Sequence, residues 1–276
     1  MPNSDQDDFL ADLRDGNPRS FNVLYEHYGT PLFNLAYRLT GSVTESEDIL
    51  QETFIKVYES IDQFNGNSKL FTWIYSICQN LCFRHLQNIK RLTFDGIEGL
   101  IVESSGWDYR KDKYSEEEWG HYTNQVREGC LFALVRCLPF SQRVAFVLHI
   151  LLNLPLSSVA TVLGKTNGAT RVLISRGRQK IKNFLCAHCS LFKESNRCTC
   201  MNFVDYSLRK GLIDTSYRQS RYKKASIPLE VIQKDVSDLK KMLGLYDNLP
   251  DAILPPDTLA AILEVMKNGT IAILAQ

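Results

Sequence analysis

No Asp or Glu occurs between Gly129 and Lys193, although the chain's average acid content would place about seven there. The same stretch keeps Arg136, Arg143, Lys165, Arg171, Arg176, Arg178, Lys180, Lys182 and Lys193. A face so depleted of one sign is not an ordinary mixed surface, and it suits a polyanion. The whole chain hides this segregation behind a formal charge of +1, because its first sixty residues are rich in acids such as Asp12, Glu45, Glu47, Asp48, Glu52 and Glu59. Long apolar runs are also missing, and the start MPNSDQDDFL has neither the basic nor the apolar part of a signal peptide. The reading is therefore a cytoplasmic chain with no membrane insertion. Alternating apolar patterns and hairpin turns are absent too, which excludes a β architecture. There is no Gly-rich phosphate loop, no HExxH and no positioned nucleophile with a base, so no enzyme is expected and no cofactor is required.

What is present is helical periodicity almost throughout, predicting an all-α chain. Phe21, Leu24, Tyr25 and Tyr28, then Leu32, Leu35, Ala36 and Leu39, predict two helices parted near Gly29-Thr30-Pro31. Thr44 with Glu47 resembles a capping box opening a third helix, with Ile49, Leu50, Phe54, Val57 and Tyr58 on one stripe. A polar turn at 64–68 leads to a fourth helix over about 70–90, carrying Phe71, Trp73, Ile74, Ile77 and Leu81. These four can form one compact bundle. From 91 to about 120 the periodicity fails, and Gly96, Gly99 and Gly106 read as part of a flexible tether.

A second set of helices follows at 126–138 and 142–152, separated by Pro139; Pro155 then introduces a short helix at 157–163. Gly164 turns the chain into a basic helix over roughly 168–184. Thr170, Ile174, Gly177 and Ile181 fall at steps of three and four and should face the core, leaving Arg171, Ser175 and Arg178 outward. A short helix, a tight turn and a basic helix form the helix-turn-helix solution to major-groove entry.

Two segments carry a family resemblance. Residues 21–80, with the run Asp48-Ile-Leu-Gln51-Glu52-Thr-Phe54, resemble region 2 of bacterial RNA polymerase sigma factors; residues 137–181 resemble region 4. Together they are similar to an extracytoplasmic-function (ECF) sigma factor. The implied organisation is a region 2 bundle at 1–90, a linker at 91–124, a region 4 helix-turn-helix domain at 125–185, and a helical extension at 186–276. The implied activity is delivery of core RNA polymerase to promoter DNA and help in melting it. Asp48, Gln51 and Glu52 would form the polymerase-binding face, acidic and suited to a basic coiled coil. Asn65, Gly66, Ser68, Trp73, Asn80 and Arg84 would meet melted DNA, Trp73 being equally readable as core. Thr166, Thr170, Arg171 and Ser175 match or border base-facing positions in region 4, while Arg176, Arg178, Lys180 and Lys182 suit phosphates. Ser157-Ser158 and Gly177 depart from the usual region 4 pattern, as does the sequence around Phe83-Arg84-His85-Leu86 in region 2. The competing reading is a stand-alone helix-turn-helix regulator.

Eight cysteines in a reducing compartment do not suggest a disulfide framework. Cys78, Cys82, Cys130 and Cys137 read as small packed residues. Cys186, Cys189, Cys198 and Cys200, with His188 among them, have two open readings: tetrahedral zinc, or a redox pair. Amphipathic patterns at 229–246 and 259–266 suggest further helices beyond this cluster. The extension could regulate promoter binding by masking the basic helix, in place of a separate anti-sigma partner.

Overall fold

The computed structural model describes residues 3–87, 91–104, 114–213, 237–249 and 251–268. Its regular elements there are helices, plus one isolated bridge between Cys189 and Cys198. The all-α expectation holds. The chain divides into two compact units, one of residues 1–89, 157–166 and 253–276, the other of 90–156 and 167–252.

In the first unit α1 (Asn3–Arg14) precedes α2 (Pro18–Thr40), α3 (Val43–Ser60) and α4 (Leu70–Leu86), and the last three pack mutually. Leu24, Leu32, Leu35, Leu39, Ile49, Leu50, Phe54, Ile74, Cys78 and Cys82 are fully buried between them. The predicted break at 29–31 does not occur, because α2 runs through Pro31. An internal proline costs about 3 kcal/mol, whereas each large side chain buried on this face returns about 1.5–3 kcal/mol. The continuous helix wins. Gly29 assists, since a Cβ there would stand 3.3 Å from Cζ of the Tyr25 ring.

Gly41, left-handed at φ 77°, ends α2 as expected. The cap of α3 is Ser42, whose hydroxyl accepts from the Glu45 amide at 3.3 Å, and not Thr44. The sequence offers two hydroxyl residues two positions apart, and the extended backbone at Ser42 selects the earlier one. Residues 88–90 of the fourth predicted helix lie outside the described residues.

In the second unit the segment read as a tether contains α5 (Phe94–Ser104), and α6 (Glu116–Cys137) begins ten residues before the predicted 126. Ser115 and Glu118 form a reciprocal capping box that starts α6. Glycines in α5 hid its periodicity. Helix α7 (Phe140–Phe146) runs into a π-helical turn (Val147–Leu151), and α9 (Asn167–His188) belongs to the same unit, whereas α8 (Leu156–Val162) is counted with the first unit from residue 157. The carbonyls closing α6 are capped by guanidinium groups: Arg143 bonds those of Arg136 and Leu138, and Arg91 bonds Cys137 O at 2.8 Å.

The extension contributes α10 (Val204–Arg209) and α11 (Asp238–Asp247) to this unit, and α12 (Thr258–Asn268) to the first. Tyr206 of α10 donates to Glu103 of α5 at 3.0 Å, and Lys210 pairs with the same carboxylate at 3.2 Å. Helix α11 packs against α9 and the π turn; Tyr246 is buried there with its ring 5.1 Å from Phe146 and its hydroxyl on Leu131 O. Residues 229–236 of the predicted helix lie outside the described residues.

Candidate functional site

On α3 the exposed Asp48 and the half-buried Gln51 and Glu52 lie one turn apart, opposite the buried stripe of Ile49, Leu50, Phe54 and Val57. The structure thus brings the three acidic-face residues together. Glu52 is not alone: Arg84 of α4 pairs with it at 3.3 Å, and His85 Nε2 lies 3.5 Å from its other oxygen. Arg84, read from sequence as a strand contact, is therefore held toward α3. Both partners are substantially exposed, so the pair contributes little to stability and can exchange for another anion.

The turn before α4 presents Asn65, Gly66 and Ser68 near the surface. Asn65 Oδ1 accepts from the Asn67 amide at 3.1 Å, and Gly66 takes φ 75°, which favours glycine. Arg14 of α1 fixes this turn by donating to Phe64 O at 2.9 Å. Trp73 is half-buried, its ring 5.5 Å from buried Phe64. Part of its face packs inward. Asn80 is exposed and accepts from Gln79.

Helix α8 ends at left-handed Gly164, whose open surroundings suit a turn, and the basic α9 begins three residues later. Thr166, Arg171, Ser175, Arg176 and Lys180 are exposed, and Ile174, Gly177 and Ile181 are buried as expected. Gly177 lies against Leu138, Gln142 and Phe146. Thr170, with no exposed surface, lies in the core as its helical spacing predicts, so its reading as a base-facing position fails. Arg178 is a correction as well. It is half-buried, with its Nε enclosed and unpartnered, and burial lowers its pKa. The i+3 and i+4 steps place it at the margin of the core stripe, which periodicity alone could not separate from the open face.

The cysteine cluster also differs from its sequence reading. Among the described residues no three His, Cys, Asp or Glu side chains are gathered so as to hold a metal. Cys186 bonds Asp238 of α11, and the His188 ring lies 4.5 Å from Phe184, so neither belongs with the other three thiols. Cys189 and Cys198 face each other through the isolated bridge, with the Ser190 amide on Cys198 O at 3.0 Å. The Asn196 side chain clamps the loop by donating to Cys186 O and Cys189 O. Cys200 packs against the Trp119, Tyr122, Val126 and Val204 cluster, and Arg127 bonds its sulfur. Cys130, one turn beyond Val126, is the neighbour that sequence spacing missed: its thiol senses Cys200, Cys198 and Cys189. Burial raises all four thiols, Cys189 to about 11 and Cys198 to about 12. Cys78 and Cys82 pack in the first core as expected, as does Cys137 in the second.

The sigma-70 region 2 family matches residues 24–92, and the sigma-70 region 4 family matches residues 128–181. These two segments carry the two sigma-70 regions, in the order region 2 then region 4. It is 28% identical to the ECF RNA polymerase sigma factor SigW of Bacillus subtilis over 184 residues, covering 64% of this chain and 94% of that protein. It is 29% identical to the ECF RNA polymerase sigma-E factor of Salmonella typhimurium over 175 residues, covering 62% and 89%. Both of these relatives are ECF sigma factors, and this chain is similar to that type. A solved structure of CnrH in complex with the cytosolic domain of CnrY is similar over 64% of this chain and 94% of that one, at 22% identity and a TM-score of 0.45. No described helix is long and apolar enough to cross a membrane.

Proposed function

We propose that this sigma factor acts in the cytoplasm, carries core RNA polymerase to specific promoters and assists their melting. The observation that carries this reading is the α3 face, where Asp48, Gln51 and Glu52 stand opposite the bundle's buried stripe. A basic coiled coil can exchange for the weak Arg84 and His85 pairing of Glu52 at little cost. Asn65, Gly66 and Ser68, beside the outward part of Trp73, offer hydrogen bonds and one stacking surface to an unpaired base, with Asn80 as a further polar contact. On α9, Arg171 and Ser175 with Thr166 reach toward base edges, and Arg176, Lys180 and Lys182 toward phosphates. Transcription of genomic fragments by the matching core polymerase should require this chain and should vanish with the Gln51→Ala, Glu52→Ala double variant. Tight duplex binding by the chain alone, with no transcript, would favour the stand-alone regulator.

A zinc ion at the extension's cysteines would have to draw Cys189, Cys198 and Cys200 together with Cys130, since the described residues do not hold them gathered as a metal site. A soft divalent cation such as Zn2+ would deprotonate these thiols on binding and draw them together. Hydrogen bonds to the Cys189 sulfur from the Leu191 and Phe192 amides favour that charged form. Metal analysis of the reduced protein should find about one Zn2+ per chain, lost on Cys130→Ser and retained on Cys186→Ser. Metal-free protein after zinc dialysis would refute the assignment.

A further inference from the structure

Helix α12 lies on α3. Thr258 and Ile262, one turn apart, are its inward residues, 6% and 0% exposed. The Tyr25 hydroxyl of α2 bonds Thr258, and Gln51 of α3 donates its side-chain amide to Ala261 O at 3.4 Å. Ala260, Ala261 and Glu264 remain exposed, so α12 is a narrow amphipathic helix laid along one edge of the bundle. The contact joins positions 210 residues apart and falls within one compact unit. It places the chain's own backbone against one of the three residues assigned to polymerase.

We infer that α12 is a built-in competitor for core polymerase, seated on the α3 face so that polymerase must displace it before Gln51 is free. This rests on the polymerase-binding role proposed for α3. Several features point to the chain's own segment as the occupant. Ile262 has no exposed surface, Gln51 gives one of its two side-chain N–H donors to this backbone, and tethering raises the local concentration of α12 above that of any free helix. The control differs from masking of the basic helix, because the face covered is the one that engages protein and not DNA.

The full-length chain and its Ile262→Asp variant should be compared for affinity toward core polymerase, by fluorescence anisotropy of a labelled chain. Circular dichroism would check that the variant's helices persist. The variant, whose buried carboxylate expels α12, should bind about tenfold or more tightly, within the usual range of coupling between sites. A synthetic peptide of residues 253–268 added in excess should reverse the gain. Equal affinities, or weaker binding by the variant, would overturn the inference while leaving the sigma assignment intact. Loss of all binding by the wild type and the variant alike would remove the polymerase reading and this inference together.

Discussion

Replacing Tyr246 by alanine is expected to destabilise the second unit by about 3–5 kcal/mol, a loss large enough to unfold a marginal domain. Tyr246 is 1% exposed, packs edge-on against Phe146 of the helical core and donates to Leu131 O at 3.0 Å. The substitution leaves a cavity and deletes the buried hydrogen bond together. Tyr246→Phe keeps the ring and deletes only the hydrogen bond, so it should cost about 1 kcal/mol. Urea unfolding of both variants provides the measurement. If Tyr246→Ala unfolded at the wild-type midpoint, α11 would be an ornament on the region 4 core and not a part of it. The expected result makes the extension structural: region 4 would lean on residues that its shorter relatives do not carry.

The second large effect concerns Glu128, buried on α6 at 6% exposure with its pKa raised by desolvation to about 7 against the partial relief of Arg127. Below its unfolded pKa the carboxyl is protonated in both states and costs nothing. As pH rises from about 4.5 to 7 the unfolded chain ionises while the folded chain holds its proton, so stability falls through this window and stays lower above it. The penalty at pH 8 is on the order of 3 kcal/mol. Glu128→Gln removes it: the variant should be more stable than the wild type at pH 8 and converge with it near pH 4.5. A stability difference independent of pH, followed by urea unfolding from pH 4.5 to 8, would count against a buried, proton-retaining carboxyl.

The bundle and the helix-turn-helix were legible because their signals repeat locally. Ile49, Leu50, Phe54 and Val57 mark a face within one helix, and Thr170, Ile174, Gly177 and Ile181 mark another, and all eight are buried. Features that depend on choices between close alternatives were not legible. Pro31 can break a helix or be absorbed by one, and the burial gained on both sides decides, which no local pattern reports. Ser42 and Thr44 are both good caps, and the Gly41 turn favours the first.

Pairings across long separations were hidden for a different reason. Cys130 stands 59 residues before Cys189, so a spacing argument confined to the tail, which grouped Cys186, His188, Cys189, Cys198 and Cys200, could not reach its electrostatic coupling to the tail thiols. The same applies to Gln51 and Ala261. The face of α3 could be read as acidic and outward, but the helix that covers it came only from the fold. Thr170 and Arg178 illustrate the limit in the other direction, since a family position can match while the side chain turns inward.

The order of the chain gives the α12 contact a direction in time. Helix α3 ends at Ser60 and α12 starts at Thr258. At ribosomal speeds of about 5–20 residues per second, roughly 10 to 40 s pass between the making of the two. A nascent molecule therefore offers its acidic helix bare while its last quarter is still being synthesised. Finished molecules would be the guarded ones, and those still on polysomes the open ones.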